Sequence, residues 1–179
     1  MRTRAALCST LLSLLEQKAF DHVTIREVTT RAGVGYATFF RHYQDKEGLL
    51  HDLAAREISQ LLAMTMPILY TVDSRASTRA LCAYVWRHRK LWSALLTGGA
   101  AGALREEFIR QARQLAAGQN NPDTWVPGDL RVVFAVGGAV EILAWWLKQR
   151  EPLPVDRVAE ILDRLVVTPA IAGAKLPGP

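Results

Sequence analysis

Apolar residues recur every three or four positions along most of the chain, and alternation of apolar with polar residues is nearly absent. This spacing is typical of amphipathic helices, so we expect an all-α fold. Pro67 is expected to kink or end the longest helix. The pattern predicts helices over about 2–19, 25–32, 36–42, 46–70, 77–89, 90–97, 103–117, 129–149 and 155–166.

These elements fall into three parts. A small three-helix unit covers 1–45, a larger helical body of about six helices covers 46–168, and a tail rich in Pro, Gly and Ala covers 169–179. The helix predicted at 46–70 joins the first two parts directly. The tail is expected to be flexible.

The stretch 24–50 contains the most specific local signals. Thr24 precedes a helical pattern and Glu27 follows three residues later, which is the spacing of a capping box. Gly33 suits a left-handed turn that ends this helix. Asp45 is placed to cap the next helix. Two short helices around a glycine turn predict a helix-turn-helix.

The second short helix has an inner and an outer side. Phe39 and Tyr43, four positions apart, are expected to pack inward with Val34. An outward short helix would fit the major groove of DNA, which is about 12 Å wide. From periodicity alone, an ordinary helical corner with its aromatics in the core remains an equal alternative. The residues left facing outward or sideways are Gly35, Tyr36, Ala37, Thr38, Phe40, Arg41 and His42.

Charge and cysteine content add mild constraints. The 179 residues carry a net charge of +5 and a pI near 9.6, a weak bias toward polyanions. Cys8 and Cys82 form no CxxC pair, which fits a reducing, cytoplasmic compartment without zinc. His51 and Asp52 lack partners at metal-ligand spacing, and no nucleophile–base pair is evident. We therefore assign no catalytic residue, metal or cofactor.

One apolar run, 132–147, is a candidate membrane span. It is shorter than the roughly 20 residues that a span needs, and it carries Glu141 near its middle. We interpret it as a buried helix and expect no membrane association.

Several short motifs together resemble a known family. Thr24-Ile25-Arg26, Ala32-Gly33-Val34, Ala37-Thr38-Phe39-Phe40, His42-Tyr43 and Lys46-Glu47 resemble the DNA-binding segment of the TetR (tetracycline repressor) family of bacterial transcription regulators. The resemblance implies contacts to bases and phosphates from Thr24, Arg26, Gly35, Tyr36, Ala37, Thr38, Phe40, Arg41, His42 and Lys46.

This chain departs from the family pattern at three of those positions, one of which is Tyr36, a residue bulkier than many found there. Phe40 stands where tyrosine is common, so it has no hydroxyl for a phosphate. Gly35 stands where serine is frequent, so a side chain next to the bases is missing. The base preference of the family therefore does not transfer directly.

The resemblance also implies a body that binds an effector and pairs two protomers. An apolar pocket is expected to be lined by Leu61, Met64, Met66, Trp86, Trp92, Leu104 and Phe108. A four-helix bundle from two protomers is expected to bury Gly137, Gly138, Ile142, Trp146, Ile161 and Leu165. Packing of the same helices within one chain is the alternative for this second set.

A run of basic residues lies outside these sets: Arg87, His88, Arg89 and Lys90. We interpret it as a solvated helix end, where positive charge suits the helix dipole. A second DNA contact is the alternative.

These observations predict a ligand-responsive, sequence-specific DNA-binding regulator, a repressor that an apolar or aromatic small molecule releases. Its expected partners are a double-stranded DNA operator, that effector and a second copy of the chain. Two alternatives remain open: a helical interaction protein that keeps the fold without DNA binding, and a small all-α enzyme.

Overall fold

The computed structural model describes residues 2–71, 73–97, 101–117 and 126–171, and every regular element in these ranges is helical. The predicted all-α class is therefore confirmed. In chain order the elements are α1 (Arg2–Gln17), a 3-10 turn (Phe20–His22), α2 (Ile25–Ala32), α3 (Tyr36–Phe40), α4 (Lys46–Thr71), α5 (Ser74–Arg87), α6 (Arg89–Thr97), α7 (Ala101–Ala116), α8 (Gly128–Lys148), α9 (Val155–Leu162), a π-helical turn (Asp163–Val167) and α10 (Thr168–Ile171).

The first helix supports the small N-terminal unit. Its leucines at helical spacing, Leu7, Leu11, Leu14 and Leu15, are all at most 1% exposed. α1 packs against both α2 and the first part of α4. Because α2 and α3 are too short to be stable alone, this apolar face of α1 holds them in place.

α4 connects this unit to the body without a break. It runs through Pro67 to Thr71, so the helix does not end at the proline. In the body, α5 lies against α4 and α9, and α8 lies against α6 and α7. The N-terminal unit and the body therefore share one long helix.

Two tryptophans anchor the centre of the body. Trp92 and Trp146 are both 0% exposed. The Trp146 ring stacks on Trp86 with centroids 5.0 Å apart, and its indole N–H donates to the Leu153 carbonyl at 2.8 Å. Trp146 was expected between protomers, but these contacts bury it inside its own chain.

α8 has a buried side and an exposed side, so the interpretation of this run as a buried helix holds for one side of it only. By length and composition it could cross a membrane, with mean hydropathy 1.7, but only 33% of that apolar window is buried inside the chain. Phe134 and Trp145 are 53% and 48% exposed on its outer side. The outward-facing tryptophan is therefore Trp145 rather than Trp146.

The last helical segment is longer than the sequence indicates. A π-helical turn at Asp163–Val167 follows α9, and α10 then continues to Ile171, inside the predicted tail. The Thr168 hydroxyl donates to the Asp163 carboxylate at 3.0 Å across this turn. The rest of the predicted tail, 172–179, lies outside the described residues.

The two adjacent glycines of α8 are used within the chain. A Cβ built on Gly138 would lie 2.8 Å from a methyl of Val166, and one on Gly137 would lie 3.1 Å from the Arg105 guanidinium. For this pair the intramolecular alternative is the one observed. Gly138 lets the π-helical turn approach α8 closely.

Candidate nucleic-acid interface

The start of α2 is fixed by the predicted cap. The Thr24 hydroxyl accepts a hydrogen bond from the Glu27 backbone N–H at 3.2 Å. Val23 and Val28, the residues of the hydrophobic staple, are 2% and 1% exposed beside it. The entry angle of the chain into α2 is therefore well defined.

The carboxylate of Glu27 lies between cations. It accepts a short hydrogen bond from Lys18, and Arg31 lies 3.7 Å away on the next turn. The bond from Lys18 is the main cause that lowers the pKa of Glu27, with smaller contributions from Arg31 and the Thr24 backbone. Glu27 thus links α2 to the chain just after α1 as well as completing the cap.

Gly33 makes the turn between the two short helices. Its backbone has φ 64° and ψ 30°, the left-handed region predicted from its position. A Cβ at this position would meet nothing within 4 Å, so only backbone strain disfavours other residues. The chain reverses here because glycine adopts this conformation freely.

One aromatic ring on the core-facing side of α3 anchors the helix. Phe39 is 0% exposed, and its centroid lies 5.6 Å from that of Tyr43, which is also buried. Val34 packs against the same core. The predicted inward set is therefore confirmed. Regular helix ends at Phe40, two residues before the predicted end.

The opposite side of α3 faces solvent. Tyr36 is 54% exposed and Phe40 47%, and their rings meet edge to face with centroids 5.2 Å apart. The Thr38 hydroxyl accepts from the Arg41 guanidinium at 3.0 Å. Further residues of the predicted DNA-binding set exposed on this side and on neighbouring α2 are Thr24, Arg26, Gly35, Ala37, Arg41 and His42.

Lys46 lies in a different setting from the other predicted contacts. Its ammonium donates to the carbonyls of Phe20 at 3.2 Å and of Asp21 and Val23 at 3.4 Å, and it lies 4.5 Å from the Phe20 ring centroid. It therefore ties the 3-10 turn to the start of α4. A phosphate contact by Lys46 stays a prediction, because a phosphate would compete with three carbonyls.

A polar cluster below α3 was not predicted. The Tyr43 hydroxyl donates to the Asp52 carboxylate at 2.5 Å, and Arg4 and Arg56 lie 3.4 and 3.5 Å from the same oxygen. Burial, helped by the bond to Asp52, raises the pKa of Tyr43 above its usual range. The cluster fastens the chain just after α3 to α1 and α4. Only the spacing of Asp52 and Arg56 could have indicated it from sequence.

Most of the residues predicted to line an effector pocket belong to the buried core of the body or pack against it. Leu61, Trp92, Leu104 and Phe108 are at most 3% exposed, Met66 and Trp86 pack against the same core, and Met64 is 37% exposed. Two concavities, of about 440 and 180 Å³, lie elsewhere in the described part of the chain. The larger is between α7 and α8, and the smaller is beside the turn from α5 to α6.

The basic run lies at that turn and touches the N-terminal unit. Arg89 stacks over the Trp86 ring at 5.3 Å, and the Lys90 ammonium donates to the Glu16 carbonyl near the end of α1. The expected helix end is thus confirmed, since α5 ends at Arg87. Lys90 also joins the body to the N-terminal unit.

Known proteins match this chain both in the sequence of the N-terminal unit and in the overall fold. Residues 8–53 match the family described as bacterial regulatory proteins, tetR family. The chain is also similar to YxbF of Bacillus subtilis (strain 168), an uncharacterized HTH-type transcriptional regulator. The two are 33% identical over 63 residues, which are 35% of this chain and 17% of that protein.

Two solved structures share the architecture over nearly the full length. A TetR transcriptional regulator from Rhodococcus sp. RHA1 has a TM-score of 0.68 at 18% identity, with 97% of this chain and 98% of that chain covered. The FadR repressor of Thermus thermophilus, in complex with lauroyl-CoA, has a TM-score of 0.66 at 17% identity, with 98% of each chain covered. At these identities the likeness concerns the fold.

The observed helix-turn-helix, the family match of its sequence and the arrangement of the body all indicate the same TetR-type fold. Residues 8–53 therefore carry the DNA-binding segment described for the tetR family of bacterial regulatory proteins, and the chain shares its fold with solved regulators of that family.

Proposed function

We propose that this chain is a sequence-specific DNA-binding transcriptional repressor that acts in the cytoplasm as a homodimer and is released by a small molecule. The observation that carries the proposal is the two-sided geometry of α3. Phe39 is fully buried, whereas Tyr36 and Phe40 on the same short helix are about half exposed. A helix held outward in this way is suited to enter a major groove.

The DNA contacts divide by chemistry. Gly35, Tyr36 and Ala37 lie at the exposed start of α3, where base edges would be reached. Arg41 and His42 follow its end and are placed for phosphates, as are the exposed Thr24 and Arg26 at the start of α2. Thr38 and Phe40 complete the reading side. We assign Lys46 to holding the start of α4 in place, with any phosphate contact secondary.

A second copy of the chain is the proposed occupant of the outer face of the last helices. Leu130, Phe134 and Trp145 on α8, and Leu165 in the π-helical turn, are between 48% and 63% exposed. Exposed apolar side chains in such number mark a contact surface. Ile142 and Ile161 are half-buried and continue it, whereas Trp146 and the glycine pair support it from within.

This assembly is testable by oligomeric state. Phe134→Glu and Leu165→Glu are expected to convert a dimer to a monomer, because each buries a charge in the apolar contact. Leu115→Glu is the matched control, since Leu115 is 47% exposed on α7. Analytical ultracentrifugation of the three variants measures whether each is a monomer or a dimer. A dimer that survives both interface changes would contradict the proposed face.

The proposed effector is apolar or aromatic and acts at the core between α4, α5, α6 and α7, where six of the seven predicted residues lie; the seventh, Met64, is exposed. FadR of Thermus thermophilus, which shares this architecture, is in complex with lauroyl-CoA, whose acyl chain is apolar and whose CoA part is charged. In this chain the indole N–H of Trp92 is buried and has no acceptor among the described residues. An effector with one acceptor group would satisfy it while displacing apolar side chains.

Effector binding would act through α4, which runs from this core to the reading unit. An effector can move the two DNA-binding units of a dimer relative to each other only if it binds the DNA-free conformation more tightly than the DNA-bound one. A panel of acyl and aromatic compounds should raise the melting temperature and release bound duplex together. Trp92→Phe keeps the ring and is expected to weaken only ligands that carry an acceptor.

The test of DNA binding is selection from random duplexes at a stated salt concentration. A recovered near-palindromic site, with half-sites about one DNA turn apart, would support the proposal. Arg26→Ala should reduce the salt dependence by roughly one phosphate contact. Arg150→Ala, an exposed arginine after α8, is the control and should leave it unchanged. Failure to enrich any duplex would leave the helical interaction protein as the better account.

A further inference from the structure

The exposed side of α3 offers few groups for hydrogen bonding to bases. Gly35 and Ala37 have no polar side-chain atom, and neither does Phe40. The Thr38 hydroxyl accepts from Arg41 at 3.0 Å and is partly covered. The Tyr36 hydroxyl is the remaining polar side-chain group on this face of α3, so much of the surface that it offers to base edges is apolar.

Two aromatic rings supply that apolar surface. Tyr36 and Phe40 meet edge to face at 5.2 Å, and Phe40 also meets the buried Phe39 edge to face at 5.3 Å. Because Phe39 is fixed in the core, the exposed pair is held in position before any DNA arrives. Little side-chain freedom is then lost on binding.

The major groove exposes one apolar group that distinguishes a base pair, the C5 methyl of thymine. We propose that Tyr36 and Phe40 form a thymine-methyl reader, so that each operator half-site carries a thymine facing this pair. The inference rests on the proposed function, and it deepens it by naming the base feature that is read. Phe40 then specifies sequence, instead of binding phosphate as a tyrosine hydroxyl would.

The test uses the full chain and the duplex obtained by selection. Each thymine of a half-site is replaced in turn by deoxyuridine, which removes the methyl and keeps the pairing edge. Loss of one methyl contact is expected to weaken binding about fourfold at one or two positions. At the remaining thymines the affinity should not change.

Protein variants assign the effect to the ring pair. Phe40→Ala should bind the thymine and deoxyuridine duplexes equally, whereas Phe40→Leu, which stays apolar, should keep most of the discrimination. Tyr36→Phe should also keep it, because the ring rather than the hydroxyl is the reader. Since both side chains are about half exposed, these variants are expected to fold, which circular dichroism checks.

The outcomes separate the two proposals. If a duplex is selected but no deoxyuridine substitution weakens binding, the methyl reader is overturned while DNA binding stands. The same holds if the weakening persists unchanged in Phe40→Ala. If no duplex is selected at all, the proposed function fails, and the methyl reader fails with it.

Discussion

Two regions of the molecule are held in place by different kinds of contact. One is the corner formed by α2 and α3, and the other is the packing of α8 against the last helical segment. At the corner the decisive bonds are local, such as the Thr24 cap on Glu27 and the left-handed Gly33. At α8 the decisive contact is between Gly138 and Val166, which are far apart in sequence. Local bonds leave recognisable residue patterns, whereas distant packing does not.

The largest expected difference separates two adjacent phenylalanines of the corner. Phe39→Ala should lower the free energy of unfolding by about 3–5 kcal/mol, because it empties a buried site. Phe40→Ala should lower it by about 1 kcal/mol or less, since only edge contacts to neighbouring rings are lost. Urea denaturation of both variants measures this. Equal losses would mean that Phe40 belongs to the core and that α3 does not face outward.

The glycine pair gives the matching test in α8. Gly138→Ala should destabilise the chain, because a clash with Val166 of about 1–3 kcal/mol outweighs the gain in helix propensity of about 1 kcal/mol. Gly137→Ala should be neutral or stabilising, since the Arg105 side chain can move away. Thermal unfolding of both variants reports the sign. A more stable Gly138→Ala than Gly137→Ala would show that the π-helical turn is not seated on α8.

The turn at Gly33 should respond to backbone conformation alone. Gly33→Ala is expected to cost about 1–2 kcal/mol, because an L-residue resists the left-handed region. Gly33→Asn should cost less, since asparagine adopts this region more readily. Denaturant midpoints compare the two. If alanine is tolerated as well as asparagine, the turn is not held at a positive φ.

The smallest effect concerns pH. The pKa of Glu27 is lowered in the folded chain, so its stabilising contribution is complete above the unfolded value of about 4.3 and is lost as the pH falls through the folded value. Glu27→Gln should therefore be less stable than the parent at neutral pH, with the gap closing in acid. Glu106→Gln, at an exposed glutamate of α7, is the control. A gap that is constant with pH would argue against the ion pair with Lys18.

The same contrast explains what the sequence could predict. The bounds of α2, the Thr24 cap, the Gly33 turn and the inward Phe39 follow from neighbouring residues. The burial of Trp146 depends on Trp86 and Leu153, and the exposure of Trp145 depends on the side of α8 that meets α6 and α7. Periodicity places both tryptophans on one helix without saying which one faces inward. The Tyr43–Asp52–Arg4 cluster was missed for the same reason, since its members come from three elements.

The most direct measurement is to map backbone amide NMR shifts of the full chain when the selected duplex is added. We predict that the largest changes fall on 35–42 and on the start of α2, with the basic run at 87–90 little affected. Changes concentrated at 87–90, with α3 silent, would contradict the account, because DNA would then bind the junction between the body and α1 instead of the outward helix.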